Sequence, residues 1–154
     1  MGGGIFLIHQ ESTNSFVSEI INTLINNNFA HSGGSVVLWQ NNLGHNPIAF
    51  KNTVFQGNSG HYHGGILLND GNALFMNTTI LQNVTEWDEQ NEQGSGLCIS
   101  NGSRARIINS IFHDNFPINL GLHSDSLFID YSIITDGQNS MYASENTFTE
   151  WGQN

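Results

Sequence analysis

The chain is poor in most of what specifies the common folds. Its single cysteine, Cys98, excludes an internal disulfide, so redox chemistry assigns no compartment. Only three basic residues (Lys51, Arg104 and Arg106) face thirteen acidic ones, for a net charge of −10 at pH 7. That balance excludes phosphate neutralisation on nucleic acid, which needs many Lys and Arg. It equally excludes attraction to an anionic bilayer. Charged residues make up 10% of 154, against the usual ~25%. No apolar run reaches the roughly 18 residues of a helix that crosses a bilayer. The opening Met1-Gly2-Gly3-Gly4-Ile5-Phe6 lacks the basic start of a signal peptide. Good helix formers (Ala, Glu, Lys, Arg) are scarce, which excludes a helical bundle.

What is abundant is Asn, with 22 copies, Gly, with 17, and Phe, with 10. Ten Phe and a low charge content are the opposite of a disordered composition. A β-rich, turn-rich architecture remains, and its signature is a repeat. One anchor is Asn-[Thr/Ser]-x-apolar-x-x-Asn. It reads Asn22-Thr23-Leu24-Ile25-Asn26-Asn27-Asn28 and Asn52-Thr53-Val54-Phe55-Gln56-Gly57-Asn58. It returns as Asn77-Thr78-Thr79-Ile80-Leu81-Gln82-Asn83 and Asn109-Ser110-Ile111-Phe112-His113-Asp114-Asn115, then degenerately as Tyr131-Ser132-Ile133-Ile134. A second anchor is Gly before a short apolar strand, at Gly4, Gly34, Gly65, Gly96 and, weakly, Gly121.

These glycines lie 30, 31, 31 and 25 residues apart, while the Asn–Asn spacing within the first anchor is always six. Fixed segments joined by variable ones are what stacked coils with free corner loops produce. Each repeat is expected to hold three short strands, such as Ser35–Leu38, Ile48–Lys51 and Thr53–Phe55. The fold class that follows is all-β, a parallel β-helix (solenoid) of about four to five coils of 25–31 residues. Coils would lie about 4.8 Å apart, so like positions stack into columns.

Ile25, Phe55, Ile80 and Phe112, with Ile134, form one inward column, and Ile20, Phe50, Phe75 and Ile107 form another. Asn22, Asn52, Asn77 and Asn109 sit at the bend between them, where Asn tolerates left-handed backbone and stacks its amide coil on coil. Asn28, Asn58, Asn83 and Asn115 mark the next corner. In the glycine strand, Phe6, Val36, Leu67 and Cys98 are read as an outward apolar column, covered by loops at Gln10–Glu19 and Gln40–Pro47. Repeats occupy 1–137, and 138–154 is an irregular tail or the start of a further coil. The absence of capping elements leads us to expect a piece of a longer chain, with any signal peptide outside it.

The Asn-[Thr/Ser]-x-Phe-x-x-Asn and Gly-Gly-[Ile/Val]-[Leu/Val] patterns resemble right-handed parallel β-helix repeats. Such repeats occur in the pectate-lyase-like superfamily and in secreted bacterial surface proteins. Polymorphic outer-membrane protein repeats of autotransporters carry a similar Gly-Gly-x-Ile and Phe-x-x-Asn signature. The segment Ile107 to Gly137 is similar to the final coils of bacterial β-helix proteins, with a Tyr-Ser strand after the last regular repeat. The resemblance implies a right-handed coil. It assigns no function, because one solenoid hosts lyases, hydrolases, epimerases and adhesins.

Within that resemblance, lyase chemistry needs clustered Asp for calcium and an Arg base, and a polygalacturonase needs Asp pairs, Gly-His-Gly and Arg-Ile-Lys. None of these is present, and Gly60-His61-Tyr62-His63-Gly64 has the wrong order. Arg104 and Arg106 share one side of a strand, with no Asp column expected beside them. In the insertion after Asn83, Glu86, Asp88, Glu89 and Glu92 are candidate oxygen ligands for calcium, though their spacing matches no defined calcium loop. His61 and His63, two apart, offer two nitrogens to a metal without an identifiable third ligand.

The aromatic and polar residues Trp39, His61, Tyr62, His63 and Trp87 are the candidates for contact with a sugar. The expectation is a segment of a secreted or cell-surface bacterial β-helix protein with a structural, adhesive or glycan-binding role. The alternative is a polysaccharide lyase or glycoside hydrolase whose catalytic carboxylates are not visible in the sequence. The expected partner is a polysaccharide or surface glycan, not nucleic acid or a membrane interior. No cofactor is expected beyond the candidate calcium.

Overall fold

A computed structural model describes residues 3–9, 18–40, 47–87, 93–123, 125–145 and 147–152. The chain winds as a parallel β coil whose strands form four sheets running along its axis. Sheet A stacks Ile5–His9, Val36–Gln40, Ile66–Asn69, Leu97–Ser100, Leu120–His123 and Met141–Ala143. Sheet B stacks Glu19–Ile21, Ile48–Lys51, Asn72–Met76, Arg104–Ile108, Ser126–Asp130 and Phe148–Trp151. Sheet C stacks Leu24–Asn26, Val54–Gln56, Thr79–Leu81, Ile111–His113 and Ile133–Ile134. Sheet D is the smallest, with Phe29–Ser32, Ser59–Tyr62 and Val84–Thr85. Every pairing between neighbouring strands is parallel, as coils wound in one sense require.

The corner from sheet B to sheet C explains the Asn-[Thr/Ser] motif. Asn22, Asn52, Asn77 and Asn109 take φ of 53°, 50°, 53° and 48°, the left-handed region where Asn is among the few tolerated residues. Their amides bond coil to coil: Asn52 Nδ2 donates to Asn22 Oδ1 (3.2 Å), Asn77 Nδ2 to Asn52 Oδ1 (3.1 Å) and Asn109 Nδ2 to Asn77 Oδ1 (2.7 Å). The hydroxyl that follows turns inward and donates back two residues, as in Thr53 to Lys51 O (3.0 Å) and Ser110 to Ile108 O (2.8 Å). Substituting Asn77 by Ala is expected to cost about 1–2 kcal/mol from the left-handed backbone alone. Asn77→Gly should recover most of that loss, read as the shift in the urea midpoint.

The corner from sheet C to sheet D divides its labour differently. The left-handed residue is the one before the second Asn of the motif, at Asn27, Gly57, Gln82 and Asp114, with Asp136 in the same place before Gly137 in the degenerate copy. The Asn itself turns into the coil, and Asn58 and Asn83 are fully buried. Its Nδ2 satisfies the carbonyl of the inward residue one coil back, as Asn58 does for Ile25 (3.0 Å) and Asn83 for Phe55 (3.2 Å). Between sheets A and B, Ser103 and Asp125 do similar work, with Ser103 N donating to Asp125 Oδ1 (2.7 Å). Burial raises the Asp125 carboxyl above its ordinary range, opposed by backbone N–H groups of His123, Ser103 and Gly102.

The inward columns of sheets A, B and C together fill the lumen. Phe50, Phe55, Phe75 and Phe112 are fully buried, and Phe50 stacks on Phe75 with centroids 5.2 Å apart. A fully buried side chain of this kind contributes about 1.5–3 kcal/mol.

Three expectations change. Coils carry a fourth strand, in sheet D, where three were expected. Its inward residues Ala30, Gly60 and Thr85 are small or polar and give no apolar alternation to read. The outward column of sheet A is Phe6, Val37, Leu67 and Cys98, because Phe6 pairs with Val37 and Val37 with Leu67. Val36 points inward beside Ile5 and Ile66, so aligning Gly34 with Gly65 was one residue out of register. A slip of one turns every side chain over, and burial of Val36 and Leu38 decides the register. Finally, Asp130 of the neighbouring coil bonds Arg106, so a carboxylate does stand beside the arginines.

Val37 and Cys98 are buried although they face away from the lumen. Of the stretches expected to cover them, Gln10–Glu19 and Gln40–Pro47, residues 10–17 and 41–46 lie outside the described residues.

Candidate functional site

Sheet D carries an aromatic cluster drawn from three successive coils. Its inward residues are small, so the outward ones (Phe29, His31, Ser59, His61 and Val84) crowd on a narrow face. Parallel pairing sets Ala30 beside Gly60 and Gly60 beside Thr85. The chain then leaves Val84–Thr85 still tied to its neighbour: Glu86 N donates to Gly60 O (2.9 Å) and Trp87 N to His61 O (3.0 Å). Those two bonds hold Glu86 and Trp87 over His61.

The His61 ring stacks on the Trp87 indole, with centroids 4.0 Å apart and planes 14° from parallel. Its Nδ1 lies 2.9 Å from Glu86 Oε2. With Nδ1 facing the carboxylate, this contact fixes the ring's orientation over Trp87. His31 meets both His61 (5.5 Å) and Tyr62 (5.2 Å) edge-on, and Tyr62 meets Trp87 edge-on at 5.9 Å. Phe29 closes the row, 5.2 Å from His61. Trp87 remains 54% exposed and Phe29 56% exposed, so the cluster is a surface platform. Flat apolar rings rimmed by imidazole, phenol and carboxylate groups suit a partner with one apolar face and many hydroxyls.

Of the sequence candidates, the structure brings together His61, Tyr62, Trp87 and Glu86. Trp39 is exposed on the outer face of sheet A, in register with Ile8 and Asn69, and is not part of the cluster. His63 is not extended beside His61. It turns left-handed (φ 57°) at the end of its strand, and its carbonyl accepts from Gly34 N (3.0 Å). The His61/His63 metal pair therefore lacks the geometry it was given. Asp88, Glu89 and Glu92 lie outside the described residues, and Glu86 is engaged with His61. Among the described residues no group of three or more His, Cys, Asp or Glu side chains is placed to hold a metal ion.

Phe29 and His31 were not singled out from the sequence. The signal was there: His31 precedes His61 by 30 residues, the same offset that separates Asn22 from Asn52.

A second concentration of chemistry lies on the outer face of sheet B. Arg106 Nη2 donates to Asp130 Oδ2 (3.1 Å). These two residues, with Phe128 and Glu150, line a depression of about 340 Å³. Asp130 and Glu150 come from successive coils, since Phe128 pairs with Glu150.

Compared with known proteins, the chain matches no family model, no curated protein and no solved structure. Its architecture and its two surfaces therefore stand on residues and geometry alone.

Proposed function

We propose that this chain is a rigid section of a secreted or cell-surface bacterial protein that binds a glycan along sheet D. The observation that carries the reading is the exposed Trp87–His61 stack, built by two coils and edged by Tyr62 and by His31 and Phe29 of a third. The parallel coil fixes the rings before any ligand arrives, so little ordering entropy opposes binding. A pyranose would lay its C–H face on the open indole. Glu86 and the His31 and His61 nitrogens would bond its hydroxyls.

The test is a glycan array followed by calorimetry on the best ligand. Trp87→Ala should weaken binding by about 10–30-fold, the equivalent of about 1.4–2 kcal/mol. Trp39→Ala, on another sheet, should leave it unchanged. No glycan bound by the native chain, or equal losses from both variants, would overturn the assignment to sheet D.

A second reading has its own observation. Asp130 and Glu150 from successive coils share a depression with Arg106, as the two carboxylates of a glycoside hydrolase or the acidic and basic groups of a lyase would. Release of reducing ends or of unsaturated product from a polysaccharide, lost in Asp130→Asn, would replace passive binding by catalysis.

A further inference from the structure

All three basic residues of this chain lie on the outer face of sheet B. Lys51, Arg104 and Arg106 alternate with the buried Phe50, Ala105 and Ile107. Two are already neutralised, Lys51 by Glu19 and Arg106 by Asp130. The Arg104 guanidinium has no acidic partner or side-chain hydrogen bond among the described residues. It opens onto a groove of about 430 Å³ whose walls include Leu74, Met76, Ile108 and Phe128, with Pro47 at one end. Register explains the composition: Leu74 pairs with Arg106 and Arg106 with Phe128, so Arg104 stands diagonally between two apolar side chains on neighbouring coils.

We infer that this groove binds a small monocarboxylate with an apolar body, an aromatic or alkyl acid, with Arg104 as its anchor. Three features select that chemistry. A free guanidinium beside apolar surface is made for a carboxylate, which it holds with two parallel N–H bonds. The groove's size lies within the usual span of small-ligand sites, about 300–1,000 Å³, and its walls reward burial of a ring or chain. The rest of the molecule carries the remaining charge of a −10 chain, which repels a polyanion but admits a single carboxylate to Arg104, the one basic side chain without an acidic partner among the described residues. Arg106, tied to Asp130, contributes its stem as a wall. The inference is independent of the sheet D platform.

The experiment is a titration of the full chain with 2-naphthoate, followed by calorimetry and by methyl and aromatic NMR shifts. Saturable binding is expected, with shifts at Leu74, Met76 and Phe128. The neutral 2-naphthamide should bind at least about tenfold more weakly, and Arg104→Gln should weaken naphthoate by a similar factor. Trp39→Ala, on the outer face of sheet A, should retain binding, which separates loss of the anchor from a general loss of fold. Equal affinity for naphthoate and the amide, native affinity in Arg104→Gln, or tighter binding of galacturonate than of naphthoate would each overturn the proposal. The amide comparison uses the native chain and so does not depend on a variant folding.

Discussion

Asn83→Leu is expected to remove about 3–5 kcal/mol of stability, a large share of the roughly 5–15 kcal/mol typical of a domain. Leucine keeps asparagine's branched skeleton but is bulkier, so shape alone would forecast only the modest cost of overpacking, about 1–3 kcal/mol. Hydrogen bonding forecasts otherwise. Asn83 Oδ1 accepts from Asn58 N (3.0 Å) and Asn58 Nδ2 (2.9 Å). Its Nδ2 donates to Phe55 O (3.2 Å) and Asn115 Oδ1 (2.8 Å). Asn58 and Asn83 are shut off from water, so the groups left behind cannot be rescued by solvent. Each buried polar group left unpaired costs about 1–3 kcal/mol. Asn83→Asp should fare no better, because a carboxylate would face the Phe55 carbonyl. Urea unfolding measures the loss as a lower midpoint at unchanged slope. A midpoint within about 1 kcal/mol of the native chain would mean that the buried amides do not hold the coils together.

The same ladder marks how far the sequence could be read. Asn spaced six residues apart, with Thr or Ser beside the first, is a local pattern, and local geometry causes it: a left-handed backbone, an inward hydroxyl and an inward amide. The columns Ile25–Phe55–Ile80–Phe112 and Phe50–Phe75–Ile107 followed directly, because burial and strand alternation write them into the composition. Registers set by glycine did not follow. A glycine pair offers no side chain to fix its phase, so glycine spacing points Val36 outward where the structure turns it inward beside Ile66.

Sheet D was hidden for a related reason. Ala30 and Gly60 bury almost nothing, and the strand there is defined by backbone pairing that leaves no apolar trace. The candidate sites were legible only in part because they cross coils. His61 meets Glu86 from 25 residues away and Arg106 meets Asp130 from 24, while other coil-to-coil bonds span 30 or 32. Variable loops change the offset from coil to coil, so no fixed spacing exposes such pairs.

Gly64→Ala is expected to be the most damaging single substitution, at about 4 kcal/mol or more, enough to remove a cooperative transition. A Cβ on Gly64 would sit 2.0 Å from the carbonyl oxygen of Val84, 2.3 Å from its carbon and 2.8 Å from its nitrogen. All three are backbone atoms, so no rotamer change relieves the overlap. The backbone cannot retreat either. Gly64 N donates to Thr85 Oγ1 (2.8 Å), and Val84 N donates to Asn58 O (2.9 Å), bonds that set the distance between these coils. Ordinary overpacking of a core costs about 1–3 kcal/mol because side chains share the adjustment, and here they cannot.

Gly137 is the control. It has φ 53° and no atom within 4 Å of an added Cβ, so Gly137→Asn should keep the native midpoint. Far-ultraviolet circular dichroism with urea titration distinguishes the two. Any Gly64→Ala chain that does fold must have moved Val84, and with it Glu86 and Trp87 two and three residues on. Its Trp87–His61 stack, and with it glycan affinity, should then fall even at saturating stability. Native stability in Gly64→Ala would show that the contact between these coils is looser than its geometry demands.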